Sequence, residues 1–209
     1  MAKLKLGVLI SGRGSNLQAL IDACMATDYP AEIALVISNK ANAYGLERAM
    51  HAGIPTLVIN HKDFETREAF DRAMTAELKK RRVQLVCLAG FMRILSADFA
   101  AEWQDRLMNI HPSLLPKFKG LHGIHTHEAA LAAGETTHGC TVHFVRADLD
   151  GGPIIMQRSV RVMADDTPEM LAARVLEQEH ILYPQVVRLY AEGRVNVLNE
   201  QVFITKQNN

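Results

Sequence analysis

Short apolar runs alternate with amphipathic stretches through the first half of the chain. Leu4 to Ile10, Glu32 to Ser38, Ile54 to Ile59, Leu85 to Ala89 and Leu107 to His111 are brief and rich in Leu, Val and Ile, which reads as strands. Leu85 to Ala89 carries no charge, so it belongs at the centre of a sheet covered on both faces. Between the runs the spacing turns helical. Leu17, Leu20, Ile21 and Cys24 share one face of a helix over Leu17 to Ala26, with Ser15 or Asn16 as its N-cap. Gly45 to Ala52 is a second helix, stopped by Gly53. Phe64 to Arg82 is a third, with Phe70, Met74 and Leu78 four apart, and Ser96 to Gln104 a fourth.

The pattern changes after Pro116. Lys117 to Thr126 is a loop, and His127 to Ala133 a short helix ended by Gly134. Gly139 to Arg146 alternates as a strand, Asp148 to Pro153 turns sharply, and Ile154 to Met163 returns, which predicts a hairpin. Thr167 and Pro168 open a long helix to about Glu192, with Pro184 inside it as a candidate kink. Val195 to Leu198 and Gln201 to Ile204 form a terminal hairpin around Asn199 and Glu200, and Thr205 to Asn209 is a frayed tail. The order of elements predicts an α/β fold: an open, mostly parallel, Rossmann-like sheet with helices on both faces, extended by antiparallel strands in the C-terminal half. No internal repeat or linker interrupts it.

Composition narrows the function classes. The 23 Lys and Arg balance the 23 Asp and Glu, so no general field draws the chain to nucleic acid or to an anionic membrane. The first apolar run is too short for a signal-peptide core or a membrane span. Cys24, Cys87 and Cys140 are odd in number and set among apolar residues, as expected of reduced, buried thiols in a cytoplasmic protein. Small-molecule substrates are the expected partners, with a monomer or a homodimer as the assembly.

Candidate chemistry gathers where parallel strands end, which is where open α/β sheets bind ligands. Ser11-Gly12-Arg13-Gly14-Ser15-Asn16 is a strand-to-helix turn whose free amides suit a phosphate. It lacks the third glycine of a dinucleotide fingerprint, and a plain tight turn is the alternative. Gly90-Phe91-Met92-Arg93-Ile94-Leu95 is an unusually apolar loop, either a pocket wall or a buried connection. Asn109 and His111 stand two apart at a strand end and so project to one face, with Met108 and Ile110 on the other. An amide beside a titratable ring suits a developing oxyanion. Asp150 precedes two glycines. It either faces His111 across the sheet edge, raising the imidazole pKa, or hydrogen-bonds its own turn. His122, His125, His127, His138 and His143 cluster in sequence without a carboxylate at ligand spacing, so no metal site is predicted.

The Ile10–Leu17 turn, the Gly90–Leu95 loop, Asn109-Ile110-His111-Pro112-Ser113-Leu114-Leu115-Pro116 and Leu149-Asp150-Gly151-Gly152-Pro153 together resemble the phosphoribosylglycinamide formyltransferase family of purine synthesis. The resemblance spans nearly the whole chain. It implies transfer of the formyl group of 10-formyltetrahydrofolate, as co-substrate, to the amine of glycinamide ribonucleotide without a metal. It implies one domain over residues 1–209, with 1–111 as the nucleotide and phosphate half and 112–209 as the folate-side and C-terminal half. By motif, Asn109, His111 and Asp150 are catalytic. Gly14, Ser15 and Asn16 hold the substrate phosphate. Arg67, Met92, Arg93, Ile94, Leu95 and Asn109 bind folate, with Arg146, Ala147, Asp148, Leu149 and Asp150 as a folate-side loop. Leu176, Glu177, Gln178 and Glu179 meet the ribonucleotide, Glu179 most directly. The chain departs from the family in a longer loop from Lys119 to His127 and in Ala147, where an acidic residue is common.

Overall fold

A computed structural model describes residues 2–206. Nine strands and six α-helices alternate along them. In order they are β1 (Leu4–Ile10), α1 (Ser15–Met25), β2 (Ala31–Ser38), α2 (Tyr44–His51), β3 (Thr56–Val58), α3 (Arg67–Lys80), β4 (Leu85–Leu88), α4 (Ala97–Glu102), β5 (Leu107–His111), α5 (Ile124–Ala132), β6 (Thr137–Phe144), β7 (Ile154–Arg161), α6 (Pro168–Ala191), β8 (Val195–Leu198) and β9 (Gln201–Ile204). Seven strands make one sheet in the order β3-β2-β1-β4-β5-β6-β7. The first five are parallel, and β6 and β7 add on antiparallel. The strand order reverses between β1 and β4, which opens a crevice at their carboxyl ends.

Alternation along the strands divides the core. Val8, Ile10, Cys87, Met108 and Ile110 face α1, α2 and α6, while Leu9, Val86, Leu88 and Leu107 face α3 and α4. The expected apolar side of β5 is therefore Met108 and Ile110, and Asn109 and His111 continue the side of Leu107. On α6 the buried stripe holds Leu171, Val175, Leu182, Tyr183 and Val186, with the carboxyl of Glu179 set among them. That helix runs through Pro184, whose missing N–H removes a single rung.

Several boundaries differ from expectation for identifiable reasons. The cap of α1 is Gly14 in the left-handed region, at φ 71°, with no side-chain cap, rather than Ser15 or Asn16. The third helix starts at Arg67, not Phe64, because the Thr66 hydroxyl accepts the Ala69 N–H at 3.1 Å and sets the cap there. The third strand is only Thr56–Val58, at the sheet edge. The alternation expected in β6 does not occur: every residue from His138 to Phe144 is buried. Its far side is covered by the segment after β5, where the Thr141 hydroxyl donates to Ser113 O and accepts from Leu115 N. Cys24 is partly exposed, whereas Cys87 and Cys140 are buried. Thr205 is not frayed, since its amide donates to Arg194 O at 2.9 Å and extends the terminal hairpin. Residues 207–209 of the expected tail lie outside the described residues. Among the described residues no helix is long and apolar enough to cross a membrane.

Candidate active site

The turn after β1 is held by its neighbours. Gly45 at the start of α2 donates to Gly12 O at 3.0 Å, and a Cβ on Gly14 would stand 2.6 Å from the Gly45 Cα. Arg48 donates from Nε to Arg13 O at 3.0 Å and from Nη1 to Gln18 Oε1 at 3.1 Å. The first bond of α1 runs from Gln18 N to Gly14 O. No side chain caps the helix, and a helix N-terminus of this kind suits an anion. Asn16 points inward instead, donating to Glu179 Oε2 at 2.7 Å. Burial raises the Glu179 carboxyl to about 7, against that hydrogen bond. Glu179 thus meets the turn from α6, Gln178 accepts from Arg158 Nε at 2.9 Å, Glu177 is exposed and Leu176 half-buried.

The β1 turn and the loop after β4 are tied together. Ser11 N donates to Gly90 O at 3.1 Å, and Met92 N donates to the Ser11 hydroxyl at 2.8 Å. Phe91 anchors the loop by stacking on Phe70, with centroids 6.4 Å apart. Met92, Arg93 and Ile94 are exposed, Leu95 is half-buried, and Arg67 is exposed at the first turn of α3. The loop is neither wholly buried nor wholly free: one aromatic anchors it and its other apolar side chains form a rim.

At the end of β5 His111 meets Asp150. His111 Nδ1 lies 3.5 Å from Asp150 Oδ2. The carboxylate comes from the β6–β7 connection, where Asp150 itself adopts φ 51°. Only glycine fits two residues on, since a Cβ on Gly152 would overlap the Phe144 carbonyl oxygen. Asp150 also keeps a local bond, accepting from Gly120 N at 3.0 Å, so it serves the His111 side and the following loop at once. His111 is buried, and its Nε2 has no hydrogen-bond partner among the described residues. Its pKa runs against expectation: burial lowers it, and the nearby Asp150 charge offsets this only in part. The resting ring is therefore neutral near pH 7.

The 146–150 segment divides. Ala147 and Leu149 are exposed, and Asp148 takes Lys119 Nζ at 2.6 Å, tying this loop to the long one after Pro116. Arg146 turns away, donating to Asp105 at 2.6 Å and to Glu200 at 2.9 Å. His127 and His138 pair with each other, Nδ1 to Nε2 at 3.2 Å. Among the described residues no group of three or more His, Cys, Asp or Glu is placed to hold a metal. Sequence reasoning missed two contributors. Arg48 clamps the turn from a helix with no local signal of that role. His143 sits opposite Asn109 on β6, which only the strand register reveals.

Comparison with known proteins identifies the family of the chain. Residues 4–187 match the formyl transferase family. The chain is 48% identical to the phosphoribosylglycinamide formyltransferase of Escherichia coli, over 96% of this chain and 93% of that one. It is 54% identical to the trifunctional purine biosynthetic protein adenosine-3 of Drosophila pseudoobscura pseudoobscura, over 94% of this chain but 14% of that protein's length. The crystal structure of glycinamide ribonucleotide transformylase 1 from Symbiobacterium toebii superposes with a TM-score of 0.94 at 46% identity, covering 98% of this chain and 95% of that one. With β1, β4 and β5 ending on one edge and 48% identity over nearly the full length of both chains in the Escherichia coli comparison, the chain belongs to the formyl transferase family, in its phosphoribosylglycinamide formyltransferase branch.

Proposed function

We propose that this chain, acting as one domain over residues 1–209, transfers the formyl group of 10-formyltetrahydrofolate to the primary amine of glycinamide ribonucleotide. The observation that carries this reading is the approach of His111 Nδ1 to Asp150 Oδ2 beside Asn109, on the sheet edge that also bears the α1 turn. The leading amides of α1, at Gly14, Ser15 and Asn16, take the substrate phosphate, where the helix dipole favours negative charge. Leu176 to Glu179 flank the nucleotide from α6. Arg67 and the Met92–Leu95 rim meet the folate, and the 146–150 loop borders it.

The chemistry then follows from the groups present. The amine nitrogen attacks the formyl carbon, a C–N bond forms, and the carbonyl electron pair moves onto oxygen. Asn109 donates an N–H to that oxyanion; a donor of this kind is worth ~10²–10³ in rate. His111 Nε2, without a partner among the described residues, takes the proton that the attacking nitrogen loses. The imidazolium so formed stands beside Asp150 and donates to the oxyanion. Collapse of the intermediate breaks the bond to the folate nitrogen, which leaves with the proton. One proton leaves the amine and one reaches the folate, so none is consumed overall. Asp150 makes the charged ring reachable in a buried setting that otherwise opposes it.

The acceptor is tested by following the absorbance of the deformylated folate with glycinamide ribonucleotide, with charged initiator tRNA or with water alone. Turnover is expected only with the first. An equal rate with water would mark a hydrolase, and preference for the tRNA would mark a different transferase.

A further inference from the structure

Asn109 has a cross-strand partner that the chemistry above leaves unused. His143 lies directly opposite it in the β5–β6 ladder and is 1% exposed. Its Nδ1 stands 2.9 Å from the carbonyl oxygen of Phe144. A carbonyl only accepts, so Nδ1 carries the hydrogen. Burial keeps the ring pKa low, against that bond and the Asp150 charge, and in the neutral ring Nε2 is then a bare acceptor. Asn109 Nδ2 lies 3.2 Å from this Nε2. The opposite amide orientation would set Oδ1 against the same lone pair. Asp150 Oδ1, 3.8 Å from Nε2, is outside hydrogen-bond range and does not compete.

The orientation matters because an amide presents opposite chemistry on its two ends. With one N–H given to His143, the same NH2 group keeps a second N–H for a ligand. A reversed amide would present its carbonyl oxygen to a developing oxyanion and repel it. We propose that His143 is a positioning residue for formyl transfer: its Nδ1–H tautomer, held by the Phe144 carbonyl, fixes the Asn109 amide so that an N–H meets the oxyanion. This rests on the reading of Asn109 as the oxyanion donor.

A double-mutant cycle on turnover tests it. His143→Phe keeps a ring and removes the acceptor, while His143→Gln restores an acceptor near the position of Nε2. His143→Phe is expected to lower kcat ~10–100-fold, within the range for loss of one oxyanion donor. The KM of both substrates should stay within about threefold, and His143→Gln should recover most of the loss. In the Asn109→Ala background, adding His143→Phe should cost less than about threefold more, because the two residues act as one unit. Should His143→Phe not fold by circular dichroism, the cycle uses His143→Gln and His143→Asn, the latter too short to reach Asn109. Gln should then exceed Asn about tenfold with Asn109 present and equal it in the Asn109→Ala background. Wild-type kcat in His143→Phe, or the same fold-loss with and without the Asn109 side chain, overturns the positioning role alone. Wild-type turnover in Asn109→Ala overturns the underlying reading with it.

Discussion

The phosphate end and the formyl end of the proposed site are built from different materials. The phosphate end is almost entirely backbone: Gly14 as cap, the leading amides of α1, and the close approach of Gly45. The formyl end is almost entirely side chain. Asn109 and His111 come from β5, His143 from β6 and Asp150 from the connection after it, joined across a two-strand register and a turn. A backbone site tolerates a changed side chain but not an added Cβ at its tightest point. A side-chain site behaves the other way, because each group has its own proton or lone pair to supply.

The contrast is broken most directly at the formyl end. His111→Ala and Asp150→Asn should each lower kcat by at least ~10²–10³, with the KM of both substrates within a few-fold in steady-state kinetics. A pure KM effect in Asp150→Asn would show that the carboxylate only shapes a pocket. At the phosphate end, Gly14→Ala meets both a left-handed φ and the Gly45 Cα at 2.6 Å. The KM for glycinamide ribonucleotide should rise at least ~10-fold and the folate KM should hold, whereas Ser15→Ala should move neither by more than about threefold, since only its amide is used. A larger effect at Ser15 than at Gly14 would reverse the assignment.

Protonation separates the ends more gently. Burial depresses His111, His138 and His143, and takes His127 to about 4. For these groups the unfolded chain binds protons first, so their contribution is complete above about 6.5 and is lost as pH falls toward the folded values. Glu179, raised to about 7, has the opposite sign. Its contribution is complete below about 4.5 and is lost as pH rises through about 7. Between about pH 4.5 and 6.5 the two contributions therefore oppose one another in thermal unfolding of the free protein. Glu179→Gln should remove the opposing contribution, at most ~3 kcal/mol, so that stability rises more steeply from about pH 4.5 to 7 in the variant than in the parent. The smallest effect is expected at Arg146. Its partner Glu200 is exposed and Asp105 is half-buried, so Arg146→Met should cost within about 1 kcal/mol. The folate KM should change by less than about threefold, because the guanidinium is held by those carboxylates. A tenfold rise would instead place it on the folate.

The same contrast explains what was legible before the structure. The β1–α1 turn, the apolar face of β5 and the capping of α6 by Thr167 depend on neighbours in sequence, and residue spacing exposes them. So does the terminal hairpin, where Asn199 and Glu200 both take positive φ, at 50° and 59°. What spacing does not expose is anything set by register or burial. The missing alternation in β6 comes from the segment after β5 folding back over it. The downward shift of His111 comes from desolvation, which a sequence-level pairing with Asp150 does not weigh. The paths of Arg146 to Asp105 and of Asn109 to His143 cross 41 and 34 residues of chain.

In the proposed reaction the formyl group passes to the ribonucleotide amine and not to water. Supplying the folate with a 13C-labelled formyl group and following the label by NMR tests this in one measurement. The label is expected to appear as a formamide carbon on the ribonucleotide product, in step with loss of the donor. Appearance of the label as free formate, at the same rate with and without the ribonucleotide, would contradict it.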